Sequence, residues 1–208
     1  MIKANTLLLA GLNMTSNFTE DGYCIVKNFI DQKTVSGISK YLENKIKRKE
    51  WLPENLDENT VWSKYQYYGD PLLELLLEET IYFCEKITGM DLHPTYSYCR
   101  AYQSGEILPK HTDRPSCEIS VTLNIANTKD SWPFWVKNKK GKTEKIILSV
   151  GDAVIYKGCD VLHWREPLQE DSINVQCMLH YVDKNGPYAE YKFDKRSGLG
   201  FPCVLPRS

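Results

Sequence analysis

The period of the hydrophobic pattern changes near His93, and that change limits the fold more than any single motif. Before it, apolar residues recur at three- and four-residue spacing. Over 32–48, Val35, Ile38, Tyr41, Leu42 and Ile46 line one face of an expected helix, with Asp31 placed to cap it. A second helix is marked by Asp70 as N-cap, Pro71 in the first turn and Gly89 just past the last periodic residue. Its leucines and Ile81, Phe83 and Ile87 make it apolar over more than half its surface, so it should pack against a sheet. After His93, short β-branched and aromatic runs alternate with turn residues: Thr95–Gln103, Cys117–Ala126, Phe134–Lys137, Glu144–Leu148, Ala153–Tyr156 and Ile173–Val182. Such a series predicts a β barrel or sandwich, with the two helices buttressing one outer face. Gly22–Val26 reads as an earlier strand. Residues 51–69, with Pro53, Asn55, Asp57 and Asn59, read as a loop or lid that includes Tyr65, Tyr67 and Tyr68. The stretch after Asp183 reads as an irregular tail.

Composition narrows the function classes. The 208 residues include 26 Lys and Arg against 27 Asp and Glu, with no basic block. That balance argues against a nucleic-acid binder that works by neutralising phosphates. No apolar run reaches the length needed to cross a bilayer. The Leu7–Leu9 run is short and reads as part of an N-terminal arm rather than a secretory leader. Seven cysteines, an odd and scattered set without a C-x-x-C pair, fit reduced thiols in a cytoplasmic protein better than a disulfide framework or a zinc motif.

The chemistry concentrates on two of the four histidines. In His111-Thr112-Asp113 the imidazole and carboxylate stand two apart, so on an extended segment both point to one side. Alone such a pair carries little. Downstream, Gly151-Asp152-Ala153-Val154-Ile155-Tyr156 leads through the turn Lys157–Asp160 to His163. Two histidines and one carboxylate on a β scaffold can occupy one face of an octahedral ferrous ion and leave three positions open. A bidentate keto acid and dioxygen need those three positions.

At these residues the chain resembles the Fe(II)/2-oxoglutarate-dependent dioxygenases, and most closely their prolyl-4-hydroxylase-like branch. The resemblance rests on an ordered set: Arg100-Ala101-Tyr102-x-x-Gly105, His111-x-Asp113, the strand Ser120–Asn124, Gly151-Asp152, His163-x-x-x-Pro167 and the closing His180-Tyr181-Val182-Asp183. The Gly22–Phe29 strand and the helix after it are similar to that family's N-terminal entry. The resemblance implies a mainly β protein: a double-stranded β-helix (jelly-roll, cupin-like) core over 93–183, N-terminal helical support over 1–92 and a tail over 184–208, together one domain. It implies iron held by His111, Asp113 and His163, with 2-oxoglutarate and dioxygen as cosubstrates and succinate as a product. Tyr102 and Thr122 stand where the family often places hydrogen-bond donors to the cosubstrate. Retention of Asp113, where related halogenases carry Gly or Ala, implies hydroxylation or another oxygen-type outcome.

One departure from the family pattern sets a question. Members of this branch usually hold the distal carboxylate of 2-oxoglutarate with Arg or Lys about ten residues after the second histidine. Here that region is Ser172-Ile173-Asn174, and no Lys or Arg occurs between Arg165 and Lys184. A buried dicarboxylate needs a cation. Arg165, two residues from His163 and so on the same side of an extended strand, is the expected substitute; Lys157 and Arg100 are reserves, and Asn174 offers a neutral donor. Arg100 and Arg114 are candidate anchors for a substrate carboxylate. Arg114 with Glu118, and Arg165 with Glu166 or Glu170, are the competing readings as local ion pairs. His93 and His180 read as structural, and Trp132, Trp135 and Trp164 as core or rim packing. The expected substrate is a small molecule of amino-acid or natural-product type; the alternative is a peptidyl, prolyl-type side chain. Two other classes remain open: a non-enzymatic metal-binding β-barrel, and a zinc hydrolase, which the absence of an HExxH pattern disfavours.

Overall fold

The computed structural model describes residues 13–48, 65–138 and 140–200. The expected N-terminal arm, most of the expected lid and Cys203 lie outside the described residues. The elements in chain order are β1 (Asn13–Thr15), α1 (Phe18–Asp21), β2 (Tyr23–Lys27), α2 (Gln32–Lys47), β3 (Tyr65–Tyr68), α3 (Pro71–Thr88), β4 (Leu92–Gln103), β5 (Leu108–His111), β6 (Ile119–Asn127), β7 (Phe134–Lys137), β8 (Thr143–Ile146), β9 (Ala153–Lys157), β10 (Leu162–Arg165) and β11 (Ile173–Asp183). They form two antiparallel sheets. The larger runs β1-β2-β9-β6-β11-β4-β3 and the smaller β5-β10-β7-β8.

The alternation within three long strands explains the layering. In β6, Ile119, Val121, Leu123 and Ile125 face outward and join a core with Val35, Ile38 and Leu42 of α2 and Leu73 and Leu77 of α3. Cys99 and Ala101 of β4 and Cys177, Leu179 and Tyr181 of β11 belong to that same core. The intervening residues are mostly polar or aromatic, among them Ser120, Thr122 and Asn124 on β6, Gln176 and His180 on β11, and Tyr96, Arg100 and Tyr102 on β4. All of these are also buried. Such strands are covered on both faces, so their second face must be satisfied by side-chain pairing rather than by water. Between the sheets lies a smaller apolar core of Tyr23, Phe134, Val136, Ile146, Leu148, Val154, Tyr156 and Val161. This is the mainly β, helix-buttressed jelly-roll arrangement that the sequence predicts.

Both long helices begin and end as their sequences specify. Asp31 Oδ1 accepts from the N–H groups of Lys33 and Thr34. Asp70 Oδ1 accepts from Leu72 and Leu73, and Gly89 closes α3 in the left-handed conformation at φ 72°. Asp70 also carries tertiary load. Fully buried, its Oδ2 receives Tyr41 Oη at 2.9 Å and Lys45 Nζ at 2.7 Å, which ties α2 to the start of α3.

One expectation changes: Tyr65–Tyr68 are not loop but an edge strand paired with β4. The tail after Asp183 is irregular, as expected, but its described residues are docked on the sheet and α3. Ala189–Lys195 forms short 3-10 turns, with Phe193, Asp194 and Lys195 in the left-handed region, and Arg196 pairs with the buried Glu74 of α3. Asp194 receives Tyr68 Oη at 2.6 Å and two hydrogen bonds from Arg114. No glycine or proline in this stretch signals the strap. Its position follows from distant charges, which a local reading cannot pair.

Removing the Asp70 carboxylate strands Lys45 and an N-terminal turn together. Asp70→Ala should cost about 3 kcal/mol, whereas Asp70→Asn, which keeps an acceptor for the cap, should cost less. Urea unfolding of the two variants checks this, and equal losses would contradict it.

Candidate metal centre and its cavity

His111 ends β5 and His163 lies in β10, and the two are directly paired across the strands. Their rings sit 4.2 Å apart. Each Nδ1 is held by a backbone carbonyl two residues earlier: His111 to Pro109 O at 2.7 Å, and His163 to Val161 O at 2.9 Å. A carbonyl only accepts, so both Nδ1 atoms donate and both neutral rings present a bare Nε2. Asp113 follows β5 and points Oδ1 at both, at 3.4 Å and 3.5 Å. Three electron-pair donors therefore converge on one point, all within 4.8 Å of one another. Without a cation among them they would repel. The set fits a divalent metal: two nitrogens with fixed tautomers and one carboxylate oxygen.

The electrostatics agree with that placement. Burial pushes the Asp113 carboxyl up, but the two imidazoles, when protonated at Nε2 in place of a bound cation, outweigh it and hold the group far below the usual carboxylate range. Burial also lowers His111, and the contacts to Asp113 and the Pro109 carbonyl overcome it, for a net rise. The buried His180 is pushed down to about 4, chiefly by burial, and is neutral near pH 7.

Space fixes Asp113 as well. Its N–H donates to Gly158 O at 2.8 Å, which lays the ligand's turn against the turn after β9. A Cβ at Gly158 would stand 2.1 Å from Cys117 O, 2.5 Å from Asp113 Oδ2 and 2.9 Å from Ser120 Oγ. The sequence shows only a turn glycine there, and close approach rather than a positive φ is the reason for it.

A cavity of about 380 Å³ opens from the three ligands between the sheets. Tyr102, Thr122 and Arg165 line it, as do Arg100 and Arg114. Arg165 alternates with His163 and is buried, so the i+2 spacing carries it inward. Its guanidinium donates to Trp132 O and to Gln176 Oε1, and it stacks near Trp132 and Phe134. Among the described residues no carboxylate pairs with it, and burial lowers it to about 10. Neither Glu166 nor Glu170 reaches it. Lys157 instead stands over the Phe18 ring and is not among the cavity-lining residues. Asn174 lies outside the lining but accepts from Gln176 Nε2 at 2.6 Å, and its Nδ2 is buried without a partner among the described residues. Arg100 is buried over the Tyr102 ring, with Glu106 4.0 Å away. Arg114 pairs with Asp194 rather than Glu118, whose carboxylate accepts from the Asp183 N–H.

Gln176 is the residue that sequence reasoning passes over. Its Oε1 accepts from Arg165 and Thr122, and its Nε2 donates to Asn124 and Asn174. Counting by twos along β11 from Asn174 through Gln176 and Met178 to His180 would have found it. Trp132 packs inside against Tyr102, while Trp135 and Trp164 stack on the other side of the small sheet under Lys145 and Lys110.

Gly158→Ala should weaken cobalt(II) binding at least tenfold, because the Asp113 turn must move. Gly37→Ala, on the exposed face of α2 with open space around it, should leave binding unchanged. A cobalt(II) titration compares them, and wild-type affinity in Gly158→Ala would contradict the packing argument.

No family model and no curated protein matches the chain at the level of sequence. Solved structures do match it in fold. A prolyl-4-hydroxylase from Pseudomonas putida is 13% identical with a TM-score of 0.63, covering 79% of this chain and 95% of that one. EctD from S. alaskensis with bound Fe is 12% identical with a TM-score of 0.66, covering 88% and 83%. The epimerase SnoN in complex with Fe3+, alpha ketoglutarate and nogalamycin RO is 11% identical with a TM-score of 0.68, covering 91% of each chain. This chain therefore has the fold seen in iron- and 2-oxoglutarate-dependent oxygenases.

Proposed function

We propose that the protein is a ferrous iron- and 2-oxoglutarate-dependent oxygenase that hydroxylates an unactivated C–H bond of a small molecule and converts 2-oxoglutarate to succinate. One observation carries this reading. Three convergent metal-binding atoms and a buried guanidinium that no carboxylate pairs with among the described residues share one cavity. A metal alone would satisfy the first feature but not the second. A metal-chelating dicarboxylate satisfies both.

In this reading His111, Asp113 and His163 hold the iron, and iron with the keto acid supplies the oxidising power. The chain's own residues bind and orient. Arg165 offers its planar fork to the distal carboxylate, and Gln176 fixes the fork from behind. Tyr102 and Thr122 add neutral donors from the lining, and Asn174, outside it, supports Gln176. Phe134 and Tyr156 pack around His163 and keep water from its inner side. Arg100 and Arg114 are the cations offered to a substrate carboxylate, Arg114 from a position fixed by Asp194. The small-molecule reading rests on these two cations, Arg100 and Arg114, both in the cavity lining. The described cysteines are all free thiols, which suits a reducing compartment such as the cytoplasm. No helix among the described residues is long and apolar enough to cross a membrane.

Incubation with ferrous iron and 2-oxoglutarate in air should release succinate, even without the true substrate. Asp113→Ala and His163→Ala should abolish release. Arg165→Met should raise the 2-oxoglutarate concentration needed about 100-fold, as expected for loss of one partner of a buried charge pair, and Arg165→Lys should fall between. No succinate from the wild type would sink the enzymatic reading in favour of a metal-binding barrel. An unchanged requirement in Arg165→Met would move the anchor to Arg100.

A further inference from the structure

Ser120 Oγ stands at a junction. It lies 2.7 Å from Asp113 Oδ2, 2.9 Å from His180 Nδ1 and 3.1 Å from Cys117 O. A serine hydroxyl has one proton to give. The ionised carboxylate is the strongest of the three acceptors and the nearest, so the proton goes to Oδ2. His180 Nδ1 must then be the donor to Ser120 Oγ, which fixes the His180 tautomer from geometry alone. Ser120 and His180 are cross-strand partners in β6 and β11, both buried. The His180 ring is in turn packed against Tyr96 at 4.5 Å, and Tyr96 against Tyr68 at 4.7 Å. The relay is thus anchored in the larger sheet, whereas His111 and His163 belong to the smaller one.

We propose that Ser120 and His180 are positioning residues that engage Oδ2 of Asp113 and so confine the carboxylate to the metal through Oδ1 alone. The inference rests on the metal reading of the His111, Asp113 and His163 cluster. It adds the physical reason that three positions stay open. An Asp113 released by Ser120 could turn both oxygens to the ion and close one of those positions. Ser120 is not among the cavity-lining residues, whereas His180 is, and both would act on the ion through Asp113.

The test uses the full chain saturated with manganese(II) and reads water-proton relaxation, which follows the number of exchangeable waters on the ion. Ser120→Ala should lose about a third of the wild-type relaxivity, since one of three water positions is taken by the second oxygen, and His180→Leu, which removes the donor that holds the Ser120 hydroxyl turned toward Oδ2, should lose part of it. His180→Asn, whose amide N–H can replace the Nδ1 donor, should keep the wild-type value. Measuring at saturation separates this from a simple loss of affinity, and if Ser120→Ala does not fold, the two His180 variants make the same comparison. Wild-type relaxivity in Ser120→Ala or His180→Leu overturns the relay alone. If the wild type binds no manganese(II), or if Asp113→Ala binds it unchanged, the metal reading falls and the relay with it.

Discussion

Two histidines paired across β5 and β10 set the chemistry of the whole molecule. Their register puts both rings on one side of the small sheet, and two backbone carbonyls leave both Nε2 atoms bare. Asp113 adds a charged oxygen to the same point. Lone pairs placed this close need a cation, so the surroundings must keep them there at a cost in electrostatic repulsion. Gly158 allows the Asp113 turn to lie close, and Ser120 takes the other carboxylate oxygen. The larger sheet is backed by the helices, which bury the outer faces of β4, β6 and β11.

The inner face of the larger sheet shows the same economy of satisfied polar groups. Gln176 uses both ends of its amide, with Arg165 and Thr122 on one and Asn124 and Asn174 on the other. Arg165 is held by neutral acceptors only, among the described residues. A buried guanidinium in that setting is costly without an anion. A bound dicarboxylate would relieve that cost, which is why the cavity's charge pattern bears on function more directly than its shape does.

Much of this was legible in the sequence. The β-branched run Cys117–Ala126 marked a central strand, and the capping residues placed both helices. The i+2 rule brought Arg165 to the side of His163. What was not legible depended on distance along the chain. Tyr65–Tyr68 became a strand only because β4 offered an edge, and Asp194 found Arg114 eighty residues away. His180 read as structural because its partner, Ser120, has no signal of its own. Glu118 stood nearer to Arg114 in sequence but bonds the Asp183 N–H instead. Short-range pairing of charges is the weakest inference such a sequence supports, since sheet register and not sequence spacing decides which side chains meet.

The central claim is that the iron and the keto acid meet at this cluster. Visible absorption under anaerobic conditions tests it most directly, because chelation of ferrous iron by 2-oxoglutarate produces a charge-transfer band without any turnover. Addition of ferrous iron and 2-oxoglutarate to the wild-type protein should give that band, and His163→Ala should lack it. A protein that binds neither, or a band that survives in His163→Ala, would contradict the account.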